Sequence, residues 1–551
     1  MKKIFVIASA IAAALFMTSC GSAEKMAKQA ENVIVKCNPN PLAVKGGQID
    51  ADVTVTYPEK YFDKKAILEV TPVIVYEGAE EKLAPKMYQG EKVNNNYKVV
   101  PADGGTVSEH FTFPYKEGMA KCTFELRGRA TTNDGKKWIE LPTKKVADGC
   151  NITELLLCNK GAFEPKADNY QDKITLNPEG QVMYNINSAD VRNSELKGQS
   201  VKDFKSALAE AVANERMEVK GVDIVAYASP DGPEAKNNTL SDNRSNTADK
   251  AFKQIVKKDK NLKGIATDVK SVGEDWEGFQ ELVSNSNVED KDLILRVLSM
   301  YSDSNVREKE IRNMASVYQD LAKDILPQLR RARFIANVEY TNYTADELDQ
   351  LIKNNIDVLD EEALLRAAAN CKKNADKVAL YKKAIEKFNS DRAKYNLACI
   401  ALQEKELGHA QDILKTCDAA DADVKNIQGV CAMREGDWAA AKQAFAASGN
   451  EAAAKNLGAC AIKEGDYATA VAKCGDKGFN AALANVLAGN PAKALECLGD
   501  HQCPRSNYLR AICLNRQGKT TEAKAALDKA TAANAELAKR AATDIEFANL
   551  K

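Results

Sequence analysis

The chain has 551 residues, and its 77 lysines and arginines are balanced by 78 aspartates and glutamates. This length predicts several domains, and the charge balance argues against a nucleic-acid-binding protein, because neutralising phosphates requires a basic excess. The three histidines, His110, His409 and His501, lie far apart in the sequence, which argues against histidine-based catalysis and a histidine-rich zinc site. We therefore expect a protein that is not an enzyme and that binds no metal or cofactor.

Residues 1–19 predict a secretory signal peptide. Two lysines precede an apolar run from Ile4 to Met17, and small residues follow it. The run is shorter than the roughly 20 residues that a membrane-spanning helix needs. Met17-Thr18-Ser19-Cys20 resembles a bacterial lipobox, which implies that Cys20 becomes the lipidated N-terminus and carries fatty acids such as palmitate. Ordinary cleavage that leaves Cys20 unmodified is the alternative.

The stretch that follows, residues 20–34, is polar and is expected to be a flexible tether. Some lipoproteins that are exported to the cell surface carry an acidic cluster directly after the lipidated cysteine. Here Glu24 stands alone beside Lys25. We therefore expect a protein attached to the outer membrane through its lipid and facing the periplasm.

Residues 35–145 predict a β-sandwich. Short alternating runs such as Ile49–Val55, Ala66–Val70 and Lys121–Leu126 are separated by glycine-containing turns. This pattern is typical of an antiparallel sandwich of the immunoglobulin-like type. We expect this domain to be a spacer between the membrane and the next domain.

Thirteen cysteines follow the lipobox, and none of them forms a C-x-x-C pair. In an exported protein, Cys150 and Cys158 would close a small loop. A bridge between Cys37 and Cys122 would staple the sandwich; the connectivity stays open. The nine cysteines of residues 371–513 are expected to be mostly buried thiols on helices rather than disulfides.

Residues 150–345 predict an α/β domain. A strand over Val222–Tyr227 runs into the turn Ser229–Pro233, and a helix follows. The helix begins with N-x-x-L-S-x-x-R, from Asn237 to Arg244. This order resembles the OmpA C-terminal-like, peptidoglycan-binding family, in the variety found in Bacteroidota outer-membrane proteins. Val272–Trp276 and Leu326–Arg333 are similar to later landmarks of the same variety.

The resemblance implies a site for the diaminopimelate of the cell-wall peptide, held by an aspartate and an arginine. An arginine fork matches a carboxylate, and an aspartate matches an ammonium group. Arg244 has the arginine position, whereas Ser229 has the aspartate position and Asp231 lies two residues further on. With Asn237 they form the candidate peptidoglycan-binding set. The alternative for Arg244 is a salt bridge with a nearby aspartate, Asp242 or Asp223, that fixes the helix.

Residues 346–551 contain a repeat. Five small anchor residues recur in this region: Ala398, Gly429, Gly458, Ala482 and Ala511. An alanine stands twelve residues after each anchor: Ala410, Ala441, Ala470, Ala494 and Ala523. A mostly larger residue stands sixteen after it: Leu414, Phe445, Cys474, Leu498 and Leu527. A glycine stands seven residues after each of the last four anchors: Gly436, Gly465, Gly489 and Gly518.

This phasing resembles the tetratricopeptide repeat, in which two antiparallel helices approach through small residues and a glycine ends the first helix. The resemblance implies an all-α solenoid whose concave face binds an extended peptide or a partner protein. A structural array without a ligand of its own is the alternative.

The sequence as a whole predicts a multidomain, non-enzymatic lipoprotein scaffold of the outer membrane. We expect its OmpA-like domain to contact peptidoglycan and its repeats to bind a protein partner. The alternative is an accessory subunit of an outer-membrane protein or adhesin assembly, in which the OmpA-like domain no longer binds peptidoglycan. Ser229 favours this alternative, because an uncharged side chain does not replace a carboxylate beside an ammonium group.

Overall fold

The computed structural model describes residues 21–132, 137–257, 259–288 and 290–550. They form two compact units. The first unit contains the chain up to Lys166 together with Ser390–Lys551, and the second contains Ala167–Asn389. The predicted signal peptide, residues 1–19, and the predicted lipidation site Cys20 lie outside the described residues.

The two units differ from the predicted linear order of domains. Residues 150–166, which we expected to open the OmpA-like domain, belong to the first unit. Residues 346–389, which we expected to start the repeats, belong to the second unit. The first unit is therefore discontinuous in sequence.

Two facing β-sheets form the N-terminal part of the first unit. In the described residues, one sheet has the order β1-β3-β2-β12, with β8 also paired to β3; the other has the order β10-β9-β4-β6-β7, with β11 on β9 and β5 on β4. Phe113 and Phe124 meet between the sheets with ring centroids 5.4 Å apart. The strands are β1 Ile34–Asn38, β2 Leu42–Lys45, β3 Gln48–Tyr57, β4 Ala66–Tyr76, β5 Ala79–Lys82, β6 Lys86–Gln89, β7 Lys98–Val99, β8 Gly105–Pro114, β9 Cys122–Thr132, β10 Ile139–Glu140, β11 Lys144–Asp148 and β12 Cys150–Asn151.

A short helix, α1 (Ser22–Lys28), packs on β9 and β10. Ala23, Met26 and Ala30 are buried, and Met26 has no exposed surface. Their spacing of three and four residues puts them on one helical face, which is why this stretch docks on the sandwich. The flexible tether predicted over residues 20–34 is therefore wrong for Ser22–Lys28 and Ala30–Asn32, which are helical, and Ile34 already begins β1.

The second unit contains a mixed sheet with the order β13-β17-β15-β16, and β14 also pairs with β17. Strand β16 runs parallel to β15 and follows it through helix α3, whereas β17 is antiparallel to β15. Helices α2 and α3 share an apolar core with β15 and β17 that includes Phe204, Phe252 and Phe334. The strands are β13 Lys173–Leu176, β14 Glu179–Met183, β15 Met217–Ala228, β16 Thr267–Glu274 and β17 Arg331–Thr341.

The helices of the second unit follow the strand–helix alternation at first and then run consecutively. A second apolar core, around Phe279 and Leu329, lies among the helices between β16 and β17. The helices are α2 Gln199–Ala213, α3 Glu234–Val256, α4 Trp276–Ser284, α5 Lys291–Met300, α6 Ser304–Asn313, α7 Ala315–Asp320, α8 Ala345–Asn354, α9 Glu361–Asn370 and α10 Asn374–Phe388.

The C-terminal part of the first unit is all-helical, and its helices pair as the repeat phasing predicts. The glycines seven residues after the anchors adopt the left-handed conformation, with φ of +91° at Gly436 and +76° at Gly465. A Cβ on Gly429 would lie 2.6 Å from the Phe445 ring, so this anchor must be small. The helices are α11 Asp391–Gln403, α12 Leu407–Leu414, α13 Ala422–Glu435, α14 Trp438–Ser448, α15 Glu451–Lys463, α16 Tyr467–Lys473, α17 Phe479–Leu487, α18 Pro491–Leu498, α19 Pro504–Arg516, α20 Thr520–Ala533 and α21 Ala535–Ala541.

Within the described ranges, no helix combines the length and the apolar character needed to cross a bilayer.

Candidate functional site

The candidate residues from the OmpA-like motif lie together around the turn that follows β15. The Ser229 hydroxyl donates to Oδ1 of Asp231 at 2.8 Å. Nδ2 of Asn237 donates to the Ser229 carbonyl at 3.1 Å and lies 2.8 Å from Oε1 of Glu274. Ser229 and Asn237 are both buried. These contacts fix the turn against the start of α3.

Arg244 is fully buried, and its guanidinium donates to three main-chain carbonyls. Nε donates to Ser188 at 3.0 Å, Nη1 to Tyr227 at 2.9 Å and Nη2 to Asn185 at 3.2 Å. The Tyr184 ring lies 5.0 Å from the guanidinium carbon. Burial lowers the pKa of Arg244 to about 10. The side chain ties the loop after β14 to the end of β15.

The alternative considered for Arg244, a salt bridge with Asp242 or Asp223, does not form. The Ser271 hydroxyl donates to Asp242, and the carboxylate of Asp223 lies 3.9 Å from Lys270. The physical reason is position: the arginine points into the core, whereas both aspartates are on exposed or half-buried faces.

Asp231 is paired with Arg330. Nη2 of Arg330 lies 2.8 Å from Oδ2 of Asp231, and its Nε donates to the Ser229 hydroxyl at 3.2 Å. Both charged side chains are largely buried. Asp231, Ser229 and Arg330 therefore satisfy one another within the chain.

A second and larger set of polar contacts lies in the first unit, where residues 152–166 run along the repeats. We call this stretch the internal segment. It crosses the first helices of the helix pairs and also α21, and we call the surface that these helices present the inner face. The segment runs in the opposite direction to the repeats: Lys166 contacts α11, and Ile152 contacts α21.

Three asparagines of the inner face each bind one residue of the internal segment through both main-chain groups. Oδ1 accepts the backbone N–H and Nδ2 donates to the carbonyl of the same residue. For Asn456 and Ala162 the distances are 2.7 and 2.9 Å. Asn396 and Lys166 form the same pair at 2.7 and 2.9 Å.

The third pair is Asn480 with Cys158, at 3.0 and 2.8 Å. The bound residues 158, 162 and 166 are therefore four residues apart. Asn426 supports the central pair, because its Oδ1 accepts from Asn456 and its Nδ2 donates to Ala162.

Three arginines bind the carbonyls of residues 160, 156 and 152, again at four-residue intervals. Arg434 donates through Nε and Nη2 to Lys160 at 3.0 and 2.6 Å. Arg505 donates to Leu156 and Arg540 donates to Ile152. Charge-assisted hydrogen bonds of this kind are stronger than neutral ones. The inner face thus binds the main chain of an extended polypeptide.

Side chains of the internal segment add apolar and ionic contacts. Leu156 is buried in the core of the C-terminal repeats. Leu157 and Phe163 pack against the core of the earlier repeats. Lys166 forms an ion pair with Asp421 and lies 3.5 Å from Asp423. The inner face is therefore occupied by the chain itself.

Sequence reasoning missed the asparagines of the inner face, although a signal exists. Asn396, Asn456 and Asn480 each stand two residues before a repeat anchor, and Asn426 stands three before one. A polar residue that recurs in phase with small core residues must lie on one face of the array. The internal segment itself carries no comparable motif.

The thirteen cysteines among the described residues are all free thiols. The bridges considered between Cys37 and Cys122 and between Cys150 and Cys158 are therefore not present. Burial raises the pKa of Cys431 and of Cys460 to about 11. Both lie in the repeat core, where they are small apolar side chains of low reactivity.

Comparison with known proteins gives similarity to solved structures. No protein-family model matches the sequence, and no curated protein matches it significantly. Among solved structures, the chain is similar to a tetratricopeptide repeat protein from Parabacteroides merdae ATCC 43184, with 13% sequence identity and a TM-score of 0.28. The similarity covers 36% of this chain and 91% of that protein.

Proposed function

We propose that this chain is a non-enzymatic lipoprotein scaffold of the outer membrane, facing the periplasm, that binds protein partners through its helical repeats. The observation that carries the proposal is the inner face, on which Asn396, Asn456 and Asn480 hold an extended main chain through paired hydrogen bonds. Such a surface recognises polypeptide by its backbone, which is the chemistry of a protein-binding repeat array.

Photo-crosslinking in cells tests the scaffold function. A photo-reactive residue is introduced into the full chain at Gln403 or Lys405, which are exposed beside the internal segment. We expect both positions to give crosslinks to the same partner protein. The control position is Glu91, exposed on the sandwich, which should not give this product. No product at either repeat position would contradict the proposal.

The membrane attachment is tested separately through the lipobox. Cys20→Ser removes the thiol that the lipid would modify, so the protein should move from the membrane fraction to the soluble periplasmic fraction. Incorporation of labelled palmitate should be lost at the same time. A variant that stays in the membrane fraction would contradict lipid anchoring at Cys20.

A second candidate function is an accessory subunit whose OmpA-like domain does not bind peptidoglycan. It is favoured by Arg244, whose guanidinium is enclosed and donates to three carbonyls. Sedimentation of the full chain with purified sacculi separates the two candidates. Sedimentation that is lost in Asp231→Asn supports peptidoglycan contact, and no sedimentation supports the accessory subunit.

A further inference from the structure

The internal segment is held along residues 156–166 by contacts to the inner face, and at its start Glu154 also accepts hydrogen bonds from the backbone of Gly46 and Gly47. Apart from one turn of 3-10 helix at Thr153–Leu156, it has no secondary structure of its own. Asn159, Lys160 and Glu164 are exposed. A stretch whose backbone hydrogen bonds go to side chains, and whose surface is partly in water, opens at lower free energy than the helices around it.

We propose that the internal segment is an exchangeable ligand, and that an extended peptide of a partner protein replaces it on the inner face. This inference rests on the proposed function in assigning the inner face to protein binding. The segment then occupies the inner face until a peptide with the same chemistry competes for the asparagines and arginines.

The contacts define the kind of peptide that competes. Every fourth residue must offer both an N–H and a carbonyl, as Cys158, Ala162 and Lys166 do. Proline is therefore excluded at these positions, since it has no N–H. It is allowed between them, where the internal segment itself has Pro165. Apolar side chains at the positions of Leu157 and Phe163 complete the match.

The internal segment belongs to the same chain as the inner face, so a partner peptide must bind tightly enough to displace it. Its ends continue into folded parts of the protein, so its effective concentration is on the order of millimolar. A free peptide of equal intrinsic affinity should therefore bind the intact protein only weakly. Weakening the internal segment should raise the affinity for the free peptide.

Gly161 allows the segment to be weakened without altering the inner face. Its φ is +79°, and an added Cβ would lie 2.5 Å from Cγ2 of Val430 on α13. Gly161→Val should therefore expel the central part of the segment. Gly489→Val is the matched control, because Gly489 is also left-handed, with φ +86°, but a Cβ there meets no atom within 4 Å.

The experiment measures binding of a fluorescein-labelled peptide with the sequence of residues 152–166 to the full chain. We expect Gly161→Val to bind at least about tenfold more tightly than the wild type and the Gly489→Val control. Adding Asn456→Ala and Asn480→Ala to Gly161→Val should abolish the gain. A folded Gly161→Val protein that gains no binding would overturn the proposal.

Hydrogen exchange on the wild-type protein tests whether the internal segment opens, even if Gly161→Val does not fold. The amides of Cys158, Ala162 and Lys166 should exchange at least about tenfold faster than the interior amides of α13 and α15. Equal rates would mean that the segment leaves only on global unfolding, and the proposal would be wrong. Equal exchange rates together with crosslinks at Gln403 would refute only the exchange of the segment and leave the scaffold function intact. Faster exchange without crosslinks would contradict the proposed function, and with it the replacement of the segment by a partner peptide.

Discussion

Asn456 and Ala162 are 294 residues apart in sequence and share two hydrogen bonds, one in each direction, at 2.7 and 2.9 Å. The side-chain amide of Asn456 thus gives Ala162 the two hydrogen bonds that a neighbouring strand would give it in a β-sheet. Since Asn456 is buried, water does not readily replace the hydrogen bonds that are lost when its side chain is removed.

Removing this amide should destabilise the first unit. We expect Asn456→Ala to lower the free energy of unfolding by about 1–3 kcal/mol, because the N–H of Ala162 loses its partner and its carbonyl keeps only the hydrogen bond from Asn426. Urea denaturation measures the change. Asn246→Ala is the control, since Asn246 is exposed on α3 and should change stability by less than about 0.5 kcal/mol. Equal effects of the two variants would contradict the role of Asn456.

An alanine at the repeat anchor Gly429 should destabilise, against the usual effect of alanine in a helix. Alanine normally stabilises a helix interior by about 0.5–1 kcal/mol relative to glycine. At Gly429 the added Cβ would lie 2.6 Å from the Phe445 ring, so we expect a loss of about 1–3 kcal/mol.

Gly408 provides the matched control for this prediction. It lies in α12, and an added Cβ meets no atom within 4 Å. Gly408→Ala should therefore leave the melting temperature unchanged or raise it slightly. If Gly429→Ala raised the melting temperature as well, the close packing of α13 on α14 would be refuted.

These two sites show what the sequence could predict and what it could not. The contact of Gly429 with Phe445 lies within one helix pair, so the recurring offset of sixteen residues between an anchor and a larger residue was enough to predict it. The pair of Asn456 with Ala162 joins distant parts of the chain through main-chain groups, which any residue except proline offers. The internal segment therefore needs no motif, and its docking was not predictable.

The candidate site of the OmpA-like motif illustrates a second limit. The spacing put Arg244 near the turn after β15, as found, but it could not tell what the guanidinium meets. Its acceptors at Asn185 and Ser188 are carbonyls of a loop far upstream. Every residue has a main-chain carbonyl, so the sequence does not show which carbonyls an arginine meets. A structural arginine and a ligand-binding arginine therefore give the same sequence pattern.

Arg244 should therefore be sensitive to a conservative change. Lysine keeps the charge but cannot donate in three fixed directions. We expect Arg244→Lys to lower the free energy of unfolding of the second unit by about 2 kcal/mol or more. Arg192→Lys, at a half-exposed arginine that pairs with Glu195, should change it little. A fully stable Arg244→Lys protein would contradict the structural role.

The second unit should also lose stability in acid through Glu347. Hydrogen bonds from Arg216 and from Thr344, where α8 begins, lower the pKa of Glu347 to about 2. The folded state thus favours the carboxylate, so this contribution is present above the ordinary glutamate pKa of about 4.3 and is lost as the pH falls toward 2.

Melting curves at several pH values test this assignment. Glu347→Gln should melt below the wild type near about pH 6, and the difference should disappear near about pH 2. Glu522→Gln, at an exposed position of α20, is the control and should follow the wild type throughout. A difference that does not vary with pH would rule out titration of Glu347 as its cause.

The docking of α1 can be tested through Met26. This side chain is completely buried, so Met26→Ala should lower the free energy of unfolding by about 2–3 kcal/mol. It should also expose residues 21–33 to limited proteolysis. Met300→Ala is the control, because Met300 is 64% exposed. Unchanged proteolysis of the Met26 variant would favour a freely moving tether.

The discontinuous first unit has a consequence for biosynthesis. A chain that is made N-terminus first can close its sandwich early, because all twelve strands precede the internal segment. The partners of Cys158, Ala162 and Lys166 arrive only after residues 167–389 have been made, and Asn480 arrives last. During this interval the apolar residues of the segment are exposed to solvent and to chaperones. Synthesis of α11 to α17 is thus the step that gives the main chain of the segment these hydrogen-bond partners.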